Sequence, residues 1–178
     1  MNEPEKLAEQ VLILRCQIGD KNAFAELIER YGKALRYFIF CLLGDSQIAE
    51  DIFQDTWLIV IRRIHALKET EAFSPWLYRI TRNKVYEQFR RQKKFYELDE
   101  KNIIQNNSIE DHFSNDDAAK IHDALGKLNP VHKEILMLRF LEQMPYDQIA
   151  KVINCNAGTV KSRIYYAKLA LKKEMEKS

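Results

Sequence analysis

Residues 145–171, "PYDQIAKVINCNAGTVKSRIYYAKLAL", predict two helices joined by a tight turn. Apolar side chains recur at helical spacing before and after the polar cluster Asn154–Asn156, which interrupts the pattern. Asn154 stands where such a turn needs a residue that tolerates the left-handed backbone conformation. Two short helices around a tight turn form a helix-turn-helix, whose second helix enters the major groove of duplex DNA.

The second predicted helix carries a dense row of hydrogen-bond donors and cations between its apolar residues. They are Thr159, Lys161, Ser162, Arg163, Tyr166 and Lys168. Side chains of these types read base edges and hold phosphates, and Arg163 is the best candidate for a guanine or phosphate contact. The motif therefore indicates DNA binding. Many helical hairpins are only packing units, however, so the motif alone leaves a purely structural role open.

The composition favours an all-α fold. The chain has 178 residues with only five glycines and four prolines, a length that suits one core or two small helical domains. Its three cysteines and four histidines are scattered, so we expect free thiols and no metal site. The sequence contains no Gly-rich phosphate loop and no nucleophile paired with a base, so we expect no enzyme, no catalytic residue and no cofactor.

Charge is segregated along the chain, although the net charge is only +2. The stretch 79–94 is cationic, the stretch 95–117 is acidic and polar, and the chain is basic again from Lys161. This pattern predicts a flexible acidic linker at 95–117 between helical domains at 1–94 and 118–178. Two cationic surfaces joined by an acidic linker are typical of a protein that binds a polyanion at two separate places.

Hydropathy argues against membrane insertion. The N-terminus has no apolar stretch behind positive charge, and the longest apolar run, Phe38–Leu43, is too short to span a bilayer. We therefore expect a cytoplasmic protein that is not itself a membrane protein.

Apolar periodicity and capping residues predict the helices outside the opening motif. The first is expected to run from Pro4 to Ile18 and to bury one stripe, made of Leu7, Val11, Leu14 and Ile18. Three more helices follow in the first domain: from about Asn22 to Gly44, from Asp45 or Ser46 to Ile64, and from Pro75 after a loop. In the second domain, a helix at Ala118–Leu128 precedes one that Asn129 caps, that Pro130 opens and that ends near Leu141.

Three stretches of the chain resemble motifs of the sigma-70 family of bacterial RNA polymerase sigma factors. They are "LLGDSQIAEDIFQDTWLIVIRRI" at 42–64, "FSPWLYRITRNKVYEQFRRQ" at 73–92 and "LNPVHKEILMLRFLEQMPYDQIAKVINCNAGTVKSRI" at 128–164. Because the three matches occur in the family's order, the chain is identified as a member of its extracytoplasmic-function (ECF) type, which retains region 2 and region 4. Two departures, Asn154 for the turn glycine and Pro145 for a capping serine, leave this fold possible.

The resemblance implies a role for the third helix in docking on the β′ clamp helices of core RNA polymerase. The implied residues are Glu50, Asp51, Gln54 and Asp55, beside Trp57. Apart from the resemblance, the same residues would be interpreted as a solvated acidic face. The β flap is the second implied polymerase contact.

The resemblance also divides promoter binding between the two domains. The specificity loop and the cationic helix would contact the minus-10 element through Lys68, Glu69, Phe73, Ser74, Arg79, Arg82, Asn83, Lys84, Arg90 and Arg91. The second helix of the opening motif would read the minus-35 element, with Lys133 and Arg139 holding the DNA backbone. Trp76 is interpreted as a core anchor rather than a stacking platform.

The predicted function is therefore that of a promoter-specificity subunit, which binds core polymerase and promoter DNA. An anti-sigma factor is an expected further partner, often tethered to the membrane in this family. The alternative is a free-standing helix-turn-helix regulator that binds an operator, with an N-terminal bundle that dimerises or senses a ligand.

Overall fold

The computed structural model describes residues 3–98 and 116–177, and every regular element in these ranges is a helix. This confirms the predicted all-α class with two helical domains. The first domain contains α1 (Glu3–Gln17), α2 (Lys21–Leu43), α3 (Ser46–Arg63) and α4 (Phe73–Leu98). The second contains α5 (Asp116–Lys127), α6 (Pro130–Leu136), α7 (Tyr146–Ile153) and α8 (Ala157–Met175).

Residues between the two domains were predicted to form an acidic linker. The helix α4 continues to Leu98, past the predicted boundary at residue 94, and α5 begins at Asp116. Residues 99–115, which are most of the predicted linker, lie outside the described ranges. No helix in the described part of the chain is both long and apolar enough to cross a membrane.

Capping residues set the ends of α2 and the start of α3 in the first domain. Asp20 accepts hydrogen bonds from the backbone amides of Asn22 and Ala23 at the start of α2. Gly44 ends that helix at φ 72°, a left-handed conformation that glycine adopts without steric cost. Asp45 then caps α3 through the amide of Ile48. The predicted boundaries of α2 and α3 are thus confirmed to within about one residue, as capping chemistry allows.

The core of the first domain is aromatic at its centre. Phe38 of α2 meets Tyr78 of α4 edge to face, with ring centroids 5.2 Å apart. Tyr31 meets Phe73 in the same way at 5.3 Å. Such pairs hold α2 and α4 together by apolar burial and by ring electrostatics.

The buried face of α1 differs from the prediction. The predicted core stripe of Leu7, Val11, Leu14 and Ile18 is exposed, by 62% at Leu7 and 84% at Ile18. The opposite face is buried instead, through Glu9, Leu12, Ile13 and Cys16. The helix has apolar residues on two faces, and helical periodicity alone does not decide which of them is buried. The buried face also includes Glu9, a residue type that is rarely buried. Its carboxylate is accommodated because it accepts a hydrogen bond from Tyr31 and pairs with Arg30.

The burial of one face of α1 predicts which truncations of this segment destabilise the fold. Ile13→Ala is expected to lower the free energy of unfolding by about 2–5 kcal/mol, because the side chain is fully buried. Ile18→Ala, a matched truncation at the exposed residue that directly follows α1, is expected to change it by less than about 0.5 kcal/mol. Urea unfolding followed by circular dichroism measures both. Equal losses would contradict the burial of α1 described above.

The opening motif folds as a helix-turn-helix in the second domain. Asn154 ends α7 in the left-handed conformation at φ 53°, as predicted for the turn. Pro145 precedes α7 without a side-chain cap, and Asn156 caps α8 by accepting from the amide of Thr159. Upstream, Asn129 caps α6 as predicted, but the helix expected to reach Leu141 changes into a π-helical turn at Met137–Leu141.

Candidate nucleic-acid interface

One side of α3 presents an exposed polar stripe. Asp51, Gln54 and Asp55 lie on it, whereas Glu50 is partly covered because Arg36 donates to its carboxylate at 2.9 Å. That ion pair lowers the pKa of Glu50. Asp55 also pairs with Lys84 of α4 at 3.0 Å. The predicted polymerase-docking face is thus joined by an ion pair to the cationic helix.

Apolar side chains extend this stripe toward the end of α3, and sequence reasoning missed them. Leu58 is 50% exposed and Ile61 is 45% exposed. Their spacing from Asp51 and Gln54, three or four residues per step, was the available signal. Trp57, predicted beside the face, lies instead in the core at 4% exposure, edge to face with Phe53 at 6.2 Å. Trp57 therefore packs in the core behind the exposed α3 stripe and offers no surface to a partner.

The loop before α4 is braced by α1. Gln17 donates to the carbonyl oxygens of Ile64 and Leu67 at 2.9 and 2.7 Å. Gln10 donates to Glu71 at 3.0 Å. These glutamines are positioning residues that sequence reasoning did not identify, since nothing in the pattern links α1 to a loop about fifty residues away.

The predicted minus-10 residues of this loop divide into exposed and buried positions. Lys68 and Glu69 are exposed, and Ser74 is half-buried at the start of α4. Phe73 is fully buried against Tyr31, so it anchors the loop and offers no surface to DNA. Trp76 is half-buried next to Phe73, at a ring separation of 6.0 Å, in agreement with its interpretation as an anchor.

The cations of α4 also divide into two groups. Arg79, Asn83, Arg90 and Arg91 are exposed, although Arg91 pairs with Glu87 at 2.6 Å. Arg82 and Lys84 are partly buried, and each is paired with a carboxylate of another helix. Most of the predicted minus-10 surface is therefore exposed to solvent. Its two partly buried cations, Arg82 and Lys84, are already engaged in ion pairs within the chain.

The outer face of α8 carries the predicted minus-35 residues. Lys161, Ser162, Tyr166 and Lys168 are exposed, while Val160, Ile164 and Ala167 fill the core on the opposite face. The Thr159 hydroxyl donates to the capping Asn156 at 2.9 Å. The ammonium of Lys168 lies 4.9 Å from the Phe140 ring, which holds its stem against the domain.

Two predicted backbone-holding cations have other partners. Arg139 donates to the carbonyl of Met144 at 2.9 Å and lies 5.1 Å from the Tyr146 ring, so it braces the turn before α7. Lys133 donates to the carbonyl of Cys41 in the first domain at 3.3 Å, and burial lowers its pKa. In this arrangement, neither side chain is directed at a DNA backbone.

The two domains meet around a buried carboxylate. The helix α4 packs against α7, and α2 packs against α6. Glu134 of α6 is 2% exposed, with Arg82 Nε 2.6 Å from one carboxylate oxygen and the Tyr86 hydroxyl donating to the other at 3.0 Å. Burial raises the pKa of Glu134, and the positive charges of Arg82 and Arg163 act against that rise. We call Glu134, Arg82 and Tyr86 the Glu134 cluster.

The chain matches the family models for sigma-70 region 2 at residues 27–95 and for sigma-70 region 4 at residues 118–171. The RNA polymerase sigma-H factor of Pseudomonas aeruginosa is 31% identical over 184 residues, which cover 94% of each chain. The ECF sigma factor SigW of Bacillus subtilis is 27% identical over 170 residues, covering 88% of this chain and 91% of SigW.

A solved structure has a similar fold. The sigma factor RpoE from Bartonella quintana, determined in complex with the anti-sigma factor NepR, aligns with a TM-score of 0.77 and 25% identity. The alignment covers 86% of this chain and 96% of the RpoE chain. Together with the two domain matches, these relatives show that the chain belongs to the ECF group of the sigma-70 family of RNA polymerase sigma factors, with a region 2 domain and a region 4 domain.

Proposed function

We propose that this chain is a promoter-specificity subunit that binds core RNA polymerase and directs promoter-specific transcription initiation. The observation that carries the proposal is the combination, in one chain, of the exposed α3 stripe, the cationic α4 beside it and a separate helix-turn-helix with an exposed donor row. A sigma factor is not an enzyme, and its work is to bind and position. A free-standing operator-binding regulator would have no use for the α3 stripe.

The polymerase contact is assigned to the α3 stripe. Asp51, Gln54 and Asp55 supply charge and hydrogen bonds, and Leu58 and Ile61 add apolar contact area. Protein interfaces usually combine apolar contact area with polar groups in this way. The β′ clamp helices are the proposed partner of this stripe, and the β flap is that of region 4.

Promoter contacts are assigned to the exposed members of the two predicted sets. For minus-10 these are Lys68, Glu69, Arg79, Asn83, Arg90 and Arg91, with the half-buried Ser74 beside them. For minus-35 they are Lys161, Ser162, Tyr166 and Lys168, with Thr159 and Arg163 at the edge of the row. Cations near exposed polar donors fit a surface that first binds phosphates and then reads bases.

Regulation by an anti-sigma factor is part of the proposal. The relative RpoE was solved in complex with the anti-sigma factor NepR, which supports a comparable partner for this chain. Such a partner would act in the cytoplasm, where polymerase and promoter are found.

In vitro transcription tests the function. The purified chain, added to core polymerase with a library of promoter fragments, is expected to produce discrete starts that core polymerase alone does not. The operator-binding alternative predicts tight duplex binding by the chain alone, with no association with core polymerase and no new starts. That second result would overturn the proposal.

A further inference from the structure

The helix α1 fixes the start of the loop before α4, residues 64–72. The side-chain amide of Gln17 donates to the carbonyl oxygens of Ile64 and Leu67, at 2.9 and 2.7 Å. A primary amide has two N–H donors, so both donors of Gln17 bind the backbone of this loop. Within the loop, the Leu67 amide donates to the Ile64 carbonyl at 3.1 Å and closes the turn that Gln17 holds.

A second contact from α1 reaches the other side of the loop tip. Gln10 lies seven residues before Gln17 and therefore on the same side of the helix. Its amide donates to the carboxylate of Glu71 at 3.0 Å. The exposed residues Lys68 and Glu69, which belong to the predicted minus-10 set, lie between the two contacts. The loop tip is thus held by α1 on both of its sides.

A buried chain of polar groups connects α1 with the first turn of α4. Glu9 of α1 accepts a hydrogen bond from the Tyr31 hydroxyl and pairs with Arg30 at 3.3 Å. The Tyr31 ring packs against Phe73, and its hydroxyl is also hydrogen-bonded to Ser74. Burial and the charge of Glu9 raise the pKa of Tyr31, so the hydroxyl keeps its proton at neutral pH. The end of the loop is therefore fixed by a network that begins on α1.

The geometry of a reading loop affects base discrimination more than it affects general affinity. An unstacked base is recognised by hydrogen bonds to its edge, and such bonds weaken steeply with distance and angle. The preferred base makes these bonds and the others do not, so a loosened loop loses binding chiefly to the preferred base. Phosphate contacts, which supply most of the affinity, tolerate the same loosening.

We propose that α1 determines how well the chain discriminates between bases at minus-10, because it holds the exposed loop tip in one geometry. Gln17 is the main positioning residue, and Gln10 and Tyr31 fix the far side of the loop. The inference rests on the proposed function, since it assumes that this loop contacts the minus-10 element. Discrimination at minus-35 is unaffected, because its candidate residues lie on α8 in the other domain.

Run-off transcription by holoenzyme that contains the full chain tests the inference. Each base of the minus-10 and minus-35 elements is replaced in turn in a promoter that the wild type uses. The ratio of the yield from the original promoter to the yield from each replacement measures discrimination. Gln17→Ala is expected to lower the largest minus-10 ratio about fivefold or more, because two hydrogen bonds to the loop are lost. The minus-35 ratios are expected to stay the same.

Three further variants separate positioning from other effects. Gln17→Glu keeps the size of the side chain but cannot donate when ionised, so it is expected to act like Gln17→Ala. Leu14→Ala truncates an exposed side chain of the same helix and is expected to leave every ratio unchanged. Tyr31→Phe keeps the ring against Phe73 and removes the hydroxyl, and it is expected to lower the minus-10 ratios about twofold or more. It also decides the question if the Gln17 variants prove poorly folded by circular dichroism.

Hydrogen exchange of the free chain measures the loop without DNA. The Leu67 amide is expected to exchange about fivefold faster or more in Gln17→Ala, because its turn loses the contact with α1. Amides in the middle of α2 are expected to keep their wild-type exchange rates.

Any of four results would overturn the inference. They are unchanged minus-10 ratios in both Gln17→Ala and Tyr31→Phe, equal decreases at minus-10 and minus-35, the same decrease in Leu14→Ala, and an unchanged exchange rate at Leu67. The proposed function is decided separately by the wild-type chain, since a wild type that produces no promoter-specific starts would contradict that function itself.

Discussion

Replacing Asp51 by lysine is expected to weaken binding of the chain to core RNA polymerase by about 30-fold or more. Asp51 is exposed in the acidic part of the α3 stripe, one helical turn before Asp55. An acidic face needs a cationic partner, and reversing one of its charges replaces attraction by repulsion, an effect of about 2 kcal/mol or more. Competition of the unlabelled variant against a labelled wild-type chain for core polymerase measures the loss.

Two further variants define what the Asp51 result means. Glu29→Lys makes the same charge reversal at an exposed position of α2 outside the stripe, and it is expected to leave polymerase affinity nearly unchanged. Leu58→Ala removes apolar area at the end of the stripe and is expected to weaken binding by roughly tenfold. Equal losses for Asp51→Lys and Glu29→Lys would indicate long-range charge attraction rather than a contact through α3.

Replacing Lys161 by glutamate is expected to lower promoter-specific transcription at least tenfold, with polymerase affinity unchanged. Lys161 is exposed near the start of α8, where a recognition helix approaches the major groove. A carboxylate there repels the phosphates and loses any base contact, and one such contact is worth about 1–3 kcal/mol. The measurement is run-off transcription from a promoter that the wild-type holoenzyme uses.

The control for Lys161 is Lys173→Glu, an equal charge reversal in the last turn of the same helix. It is expected to cost much less, because the last turn lies beyond the donor row. The salt dependence of duplex binding distinguishes the possible roles of Lys161. If Lys161 contacts only a phosphate, replacing it reduces the slope of the logarithm of the binding constant against the logarithm of the salt concentration by about one. If Lys161 contacts a base, replacing it changes the preferred DNA sequence instead. Matching losses at both lysines would contradict a reading role for the start of α8.

Much of the fold was predictable because the signals that define it are local. Asp20, Asp45 and Asn129 cap helices through amides two or three residues away, and such caps are readable from neighbouring residues alone. The turn at Asn154 was predictable for the same reason, since few residues tolerate its backbone conformation. The family motifs, which are local patterns too, led to the correct assignment.

The candidate site was predictable only in part, because exposure is a tertiary property. Trp57 and Phe73 stand among surface residues in the motifs but are buried by aromatic partners from the same domain. Leu58 and Ile61 have the residue types of a core and lie at the surface instead. Helical periodicity assigns residues to a face, and the packing of neighbouring helices decides which face is covered.

The sequence by itself determined the helical elements, the helix-turn-helix and membership in the sigma-70 family, because caps, turns and motif order depend on short-range chemistry. Only the tertiary structure decided which face of α1 is buried, which members of the predicted surfaces remain exposed and where Arg82 finds its partner. Arg82 and Glu134 lie 52 positions apart, on helices of different domains. No local pattern encodes that pairing, since it exists only when the two domains pack against each other.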